Sequence, residues 1–186
     1  LASGNKKSAW ELSTSVLNLF AIVTLITSIL IMVLADPLIR YIVGPGLDES
    51  GTILAINMMR VIAINPFLFS IATVLSSMQQ AVGRFVFYSL APALYNVGIL
   101  IGITVFTGGI NLFGIQFFEG GIMGVALGVV FGAVLQVIVS LIGLFGLGFD
   151  YEFKIYWRNH GFRNVLKLLP ARSLDQGIDY VSGIVN

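Results

Sequence analysis

The sequence predicts an all-α protein, a polytopic transmembrane helical bundle with four full spans and the start of a fifth, in a single membrane domain over residues 1–186. Hydrophobic residues make up 57% of the chain and charged residues only 10%, whereas soluble domains average about 25% charged residues. Four apolar runs are each long enough for a helix that crosses a bilayer, which takes about 20 residues. Short polar or glycine-containing segments separate these runs.

The first two spans are separated by a proline-containing loop. The first is expected from about Ser15 to Ala35 and the second from about Thr52 to Ser77. Asp36-Pro37 is expected to end the first helix, since the residue before a proline disfavours the helical conformation. In the loop 36–50, the stretch PLIRYIVGPG is expected to lie along the membrane surface.

The second and third spans form a hairpin, and each carries a proline. The third span is expected from about Phe85 to Phe106, after a polar turn centred on Gly83-Arg84. Proline is tolerated in membrane helices because neighbouring helices and local adjustments satisfy the freed carbonyl groups. Pro66 and Pro92 therefore predict kinks in these two helices.

The rest of the chain alternates between loops and apolar runs. A glycine-rich loop is expected over 107–121 and a fourth span from about Ile122 to Phe145. The polar loop 146–161 is rich in aromatic residues, as is typical of a membrane interface. Helical spacing of apolar residues predicts a surface helix over 162–170, and 171–186 is expected to begin the next span. Since the chain has no initial methionine and ends inside this run, we expect it to be a fragment.

The distribution of basic residues predicts the orientation. Cytoplasmic loops of membrane proteins carry an excess of Lys and Arg. Alternate loops place most of the basic residues on one side: Lys6, Lys7, Arg84, Lys154, Arg158, Arg163 and Lys167. The other side holds Arg40 with Asp36, Asp48, Glu49 and Glu119. Residues 1–13, the Arg84 turn and 146–170 are therefore predicted to be cytoplasmic.

Composition argues against several classes of function. The net charge of +1 offers no electrostatic basis for nucleic-acid binding. The absence of cysteine excludes disulfides and thiolate metal sites within this chain. One histidine, His160, argues against a histidine-ligated metal centre or a Ser-His triad. No phosphate-binding loop or nucleophile elbow is present, so no cofactor, metal or catalytic residue is predicted.

Small residues recur at four-residue spacing in the fourth span, at Gly124, Gly128, Gly132 and Ser140, and the larger Gln136 occupies the remaining position of the same row. This spacing places them on one helix face, where small residues let two helix backbones approach closely. The glycines therefore predict tight packing against another span. Gln136 either lines a cavity or forms a hydrogen bond to a neighbouring helix.

Arg60 and Asn96 are polar residues within apolar runs of the hairpin. Such groups are costly in hydrocarbon, so by default they face a protein interior or a water-filled cavity. Arg60 has two interpretations: it extends to lipid headgroups near a membrane face, or it faces a central cavity and attracts an anionic substrate.

The last segment carries four polar residues at helical spacing, Arg172, Asp175, Gln176 and Asp179. A face this polar is not compatible with lipid, so it is a candidate lining for a water-filled path. Two alternatives remain: the arginine and the aspartates pair with one another, or this segment does not enter the membrane.

Several motifs resemble one transporter family. They are Arg60 followed by Pro66, Gly83-Arg84-Phe85, SLAPALYNVGI at 89–99, the stripe from Gly124 to Gln136, and VLKLLPARSLDQG at 165–177. Together they resemble the lipid II flippases of the MurJ (MviN) type, in the multidrug/oligosaccharidyl-lipid/polysaccharide exporter superfamily. The chain is similar to the third to sixth spans of that family and the start of its seventh.

The resemblance implies a bacterial inner-membrane transporter rather than an enzyme. Its substrate would be lipid II, the undecaprenyl-pyrophosphate-linked precursor of peptidoglycan, carried to the outer leaflet by alternating access of two helical lobes. Its other partners would be membrane lipids and the remaining spans of the full-length chain. The alternatives are another exporter of the superfamily, carrying polysaccharide-linked lipids or drugs, or a membrane scaffold or enzyme whose active part lies outside this chain.

Overall fold

The computed structural model describes residues 6–112, 115–118 and 120–169, and over these residues it confirms the predicted helical membrane bundle. Four helical runs are long and apolar enough to cross a membrane: Lys6–Val43, Glu49–Ala81, Phe85–Gly108 and Met123–Ile142. The chain divides into two compact units, one of Leu1–Leu19 with Asp150–Asn186 and one of Phe20–Phe149.

The first helix is longer than the sequence predicts. Helix α1 covers Lys6–Leu38 and continues as a π-helical turn over Ile39–Val43. The predicted end at Asp36-Pro37 was therefore wrong, and residues 37–43 of the stretch PLIRYIVGPG continue the helix. Proline removes only one backbone hydrogen-bond donor, so the other backbone hydrogen bonds can continue the helix past Pro37. The side chain of Arg40 joins Asp36, one turn earlier, to Glu49 in ion pairs of 3.0 and 2.9 Å, which support this end of the helix.

The second predicted span consists of two helices, α2 over Glu49–Ile62 and α3 over Asn65–Ala81. Pro66 is the second residue of α3 and has no N–H for the Ile62 carbonyl, so a regular α-helix does not run through this point. The N–H groups of Phe67 and Leu68 both donate to the Ile64 carbonyl, at 3.1 and 3.2 Å. The span therefore contains a break at residues 63–64.

Helices α4, over Phe85–Thr104, and α5, over Met123–Ile142, complete the larger unit. Helix α4 continues on both sides of Pro92, and α5 contacts α2, α3 and, most extensively, α4. The sequence predicts a glycine-rich loop over 107–121 between α4 and α5. It contains a short antiparallel hairpin of β1, Ile110–Leu112, and β2, Ile115–Phe118.

The smaller unit combines the first turns of α1 with residues 150–169. The predicted surface helix is present as α6, over 160–169. Its Phe162 is completely buried and meets the Trp157 ring edge-to-face, with the ring centroids 5.6 Å apart. Arg163 and Lys167 are exposed, so α6 is amphipathic as the sequence predicts.

Candidate functional site

A seam of glycines joins α4 and α5. A Cβ atom added to Gly98 would lie 2.2 Å from the Cα of Gly132, and one added to Gly132 would lie 2.4 Å from the carbonyl oxygen of Tyr95. A Cβ on Gly124 would lie 2.5 Å from the backbone of Phe106. These neighbours are backbone atoms that cannot rotate away. The glycines that the sequence singled out therefore lie where two helix backbones are in direct contact.

The stripe continues into a polar contact between α5 and α3. Ser140 is buried, and its Oγ lies 3.3 Å from the Oγ of Ser76. Its carbonyl oxygen accepts a hydrogen bond from Nε2 of Gln79 at 2.6 Å. Gln136 is half-buried and has no side-chain hydrogen bond to any residue that the structure describes. Hydrogen bonds between α3 and α5 are thus made by Ser76, Gln79 and Ser140 rather than by Gln136. Gln79 was not among the residues predicted from the sequence.

Side chains from the α3–α4 hairpin bind carbonyl groups at the C-terminal end of α5 and in the turn that follows it. The Leu144 N–H donates to Leu141 rather than to Ser140, which leaves the Ser140 carbonyl to Gln79. Nη1 of Arg84 donates to the carbonyl groups of Gly143, at 3.2 Å, and Phe145, at 2.6 Å. Carbonyl groups at a helix end have no partner within the helix. From the sequence, Arg84 was only one of the basic residues that predict the orientation of the chain in the membrane. In the structure its side chain also caps a helix.

A groove of about 530 Å³ lies at the break between α2 and α3. Its lining is mostly apolar: Ile31, Met59, Ile62, Ala63, Asn65, Pro66, Phe69, Tyr95 and Val129. Asn65 is only 5% exposed, and its Oδ1 has no hydrogen-bond partner among the described residues. Since an unpaired buried oxygen costs about 1–3 kcal/mol, the groove is suited to a group that donates a hydrogen bond.

Arg60 and Asn96 are both exposed; Arg60 lies about a third of the way along the run Glu49–Ala81, and Asn96 lies in the middle of Phe85–Gly108. Arg60 is in the last turn of α2, about 16 Å along the helix from Glu49 at 1.5 Å per residue. Neither side chain has an ion pair or hydrogen bond to the residues that the structure describes. The structure therefore does not join Arg60, Asn96 and Gln136 to one another.

The remaining candidates, Arg172, Asp175, Gln176 and Asp179, lie outside the described residues. Within the described ranges, no group of three or more His, Asp or Glu side chains is placed to hold a metal ion.

Comparison with known proteins shows which family this chain is similar to. The profile of a family described as "Lipid II flippase MurJ" matches residues 1–186. A curated relative, the "Probable lipid II flippase MurJ" of Buchnera aphidicola subsp. Schizaphis graminum (strain Sg), is 25% identical over 169 residues. The aligned region covers 90% of this chain and 31% of the relative, so the chain spans less than a third of that protein's length. Because the family profile matches every residue from the first to the last, the chain belongs to the lipid II flippase MurJ family.

Proposed function

We propose that the full-length protein containing this chain transports lipid II from the cytoplasmic to the outer leaflet of the bacterial inner membrane. The observation that carries this proposal is the family match over residues 1–186. Residues 1–13, the Arg84 turn and 146–170 would face the cytoplasm, in keeping with the excess of basic residues in these segments. The activity is transport and involves no chemical conversion of the substrate.

The charge of the substrate sets the main physical requirement. A pyrophosphate group cannot enter hydrocarbon without a large desolvation cost, so the path needs polar and preferably cationic side chains. Arg60 fits this requirement because it is an exposed cation within an apolar helical run and lacks an acidic partner among the described residues. Asn96 and Gln136 would add polar groups to the path, and the polar face of Arg172, Asp175, Gln176 and Asp179 would extend it.

Alternating access requires helices that can bend at defined points. The break at residues 63–64, next to Pro66 and the groove, supplies such a point between α2 and α3. Pro92 would supply a second one in α4. In contrast, the glycine seam and the Gln79 and Arg84 bonds hold α3, α4 and α5 together. Motion would therefore bend α2 against a firmer group of three helices.

Depletion of the full-length protein tests the proposal. In depleted cells, lipid II should accumulate in the inner leaflet and become inaccessible to a probe that cannot cross the membrane. Re-expression of the wild-type protein should restore access. Normal access in depleted cells would rule out lipid II transport. Loss of drug resistance with normal wall synthesis would instead indicate another exporter activity of the superfamily.

A further inference from the structure

Three basic side chains in the smaller unit border one cavity of about 700 Å³. Lys7 comes from the first turns of α1, and Lys154 and Arg158 come from the segment that precedes α6. All three are exposed, and none forms an ion pair with a described residue. Glu11 is the single carboxylate in the lining. Among the Lys, Arg and Glu side chains of the lining there are three cations and one anion, which give the cavity a net charge of +2.

Buried polar bonds fix the position of the segment that carries these cations. Nδ2 of Asn18 donates to the carbonyl groups of Glu152 and Lys154, both at 2.9 Å. Oγ of Ser15 accepts the Tyr156 N–H at 2.8 Å. Ser15 and Asn18 are 0% and 2% exposed. Internal contacts therefore hold the backbone of the segment that carries Lys154 against the first turns of α1.

The cavity lies at the start of a helical run that can cross the membrane, since that run begins at Lys6. The ends of such runs meet the headgroup layer of the bilayer, where Trp and Tyr are enriched. Trp157 and Tyr156 both line the cavity. His160, the first residue of α6, also lines it, so the positive end of that helix dipole adds to the attraction for an anion.

We propose that this cavity binds a phosphate ester, carried by the headgroup of an anionic membrane phospholipid. Basic pockets next to membrane helices are suited to such headgroups because the cations neutralise the phosphate while aromatic rings contact the glycerol region. The cavity shares no lining residue with the proposed path at Arg60, and binding here does not depend on which substrate the protein transports.

Calorimetric titration of the full-length protein in detergent tests this site, with dioctanoyl phosphatidylglycerol as the probe. Replacing Lys7, Lys154 and Arg158 together by Gln should weaken binding by about tenfold or more, since each cation near an anionic surface adds to the attraction. The matched control replaces Lys6, Arg163 and Lys167 by Gln, which removes the same charge from exposed positions outside the cavity. The control should change binding by less than about twofold. Glu11→Gln should tighten binding.

Two further probes separate the possible sources of phosphate. Dioctanoyl phosphatidylcholine, which has no net charge, should bind weakly to all variants. Inorganic phosphate is then tested as a competitor of dioctanoyl phosphatidylglycerol. If it competes, and the cavity substitutions weaken this competition, the cavity binds phosphate but the ligand is a soluble one and the lipid assignment is wrong. Equal weakening by the two triple variants would overturn the proposal, as would no binding of either anion. Thermal unfolding of each variant verifies that the fold is retained.

Discussion

Gly102 of α4 and Gly128 of α5 approach each other so closely that neither has space for a side chain. A Cβ atom on Gly128 would lie 2.3 Å from the Cα of Gly102, and one on Gly102 would lie 2.6 Å from the Cα of Gly128. In a membrane, helices gain no hydrophobic free energy from meeting each other, so close packing contributes much of their association. The reciprocal contact makes this pair the centre of the seam.

Gly128→Ala should destabilise the full-length protein by about 1–3 kcal/mol, because the added methyl group forces two backbones apart. Gly128→Leu should do so more strongly. Thermal unfolding in detergent measures the change. The matched control is Gly108→Ala, since a Cβ at Gly108 meets no atom within 4 Å. Equal stability of Gly128→Ala and the wild type would show that the seam contributes nothing.

Gln79→Met should lower the free energy of unfolding by about 1–3 kcal/mol, because it removes the donor to the buried Ser140 carbonyl. Methionine retains the length of the side chain, so lost packing contributes little. Gln80→Met is the control, since Gln80 is the next residue and is exposed. Denaturation of both variants in the same detergent gives the difference. A larger effect at Gln80 would contradict the structure.

Arg60→Gln should reduce delivery of lipid II to the outer leaflet by about tenfold or more, because the anionic pyrophosphate loses one cation from its proposed path. Its effect on stability should stay within about 0.5 kcal/mol, as for most exposed positions. Arg163→Gln, which removes an exposed charge from α6, should leave transport unchanged. A normal rate in Arg60→Gln would favour the alternative interpretation, in which the side chain extends to lipid headgroups.

Asp48 should make the start of α2 sensitive to acid. The Ser50 hydroxyl and the Gly51 N–H donate to its carboxylate and lower its pKa below the ordinary value. A lowered folded-state pKa gives a stabilisation that is complete above the unfolded-state pKa and lost as the pH falls through the folded-state pKa.

The Asp48→Asn variant isolates this effect, because its side chain can still cap α2 but cannot titrate in this range. The unfolding temperature of the wild type relative to Asp48→Asn should therefore fall between about pH 5 and pH 2. If the difference in unfolding temperature between the two proteins stays constant over this range, the hydrogen bonds from Ser50 and Gly51 do not stabilise the Asp48 carboxylate.

The candidate site was only partly predictable. The four-residue spacing of Gly124, Gly128 and Gly132 indicated a packing face, because helix geometry places such residues in one line. The spacing could not indicate that Tyr95, Gly98 and Gly102 of α4 lie opposite these glycines. Gln79 was missed because a polar residue near the end of an apolar run resembles an ordinary helix end. Pro66 predicted a kink, but not that Oδ1 of the adjacent Asn65 is buried without a hydrogen-bond partner among the described residues.

The sequence by itself determined the number of helical spans among the described residues, the approximate limits of the second to fourth spans, and the family. These follow from the length of apolar runs relative to bilayer thickness and from local motifs. Tertiary structure decided the continuation of α1 past Pro37 and the capping of α5 by Arg84, 59 positions away from Gly143. It also decided the meeting of Lys7 with Lys154 at one cavity. Such contacts join distant residues, so they depend on how helices pack and turn, which local spacing does not specify.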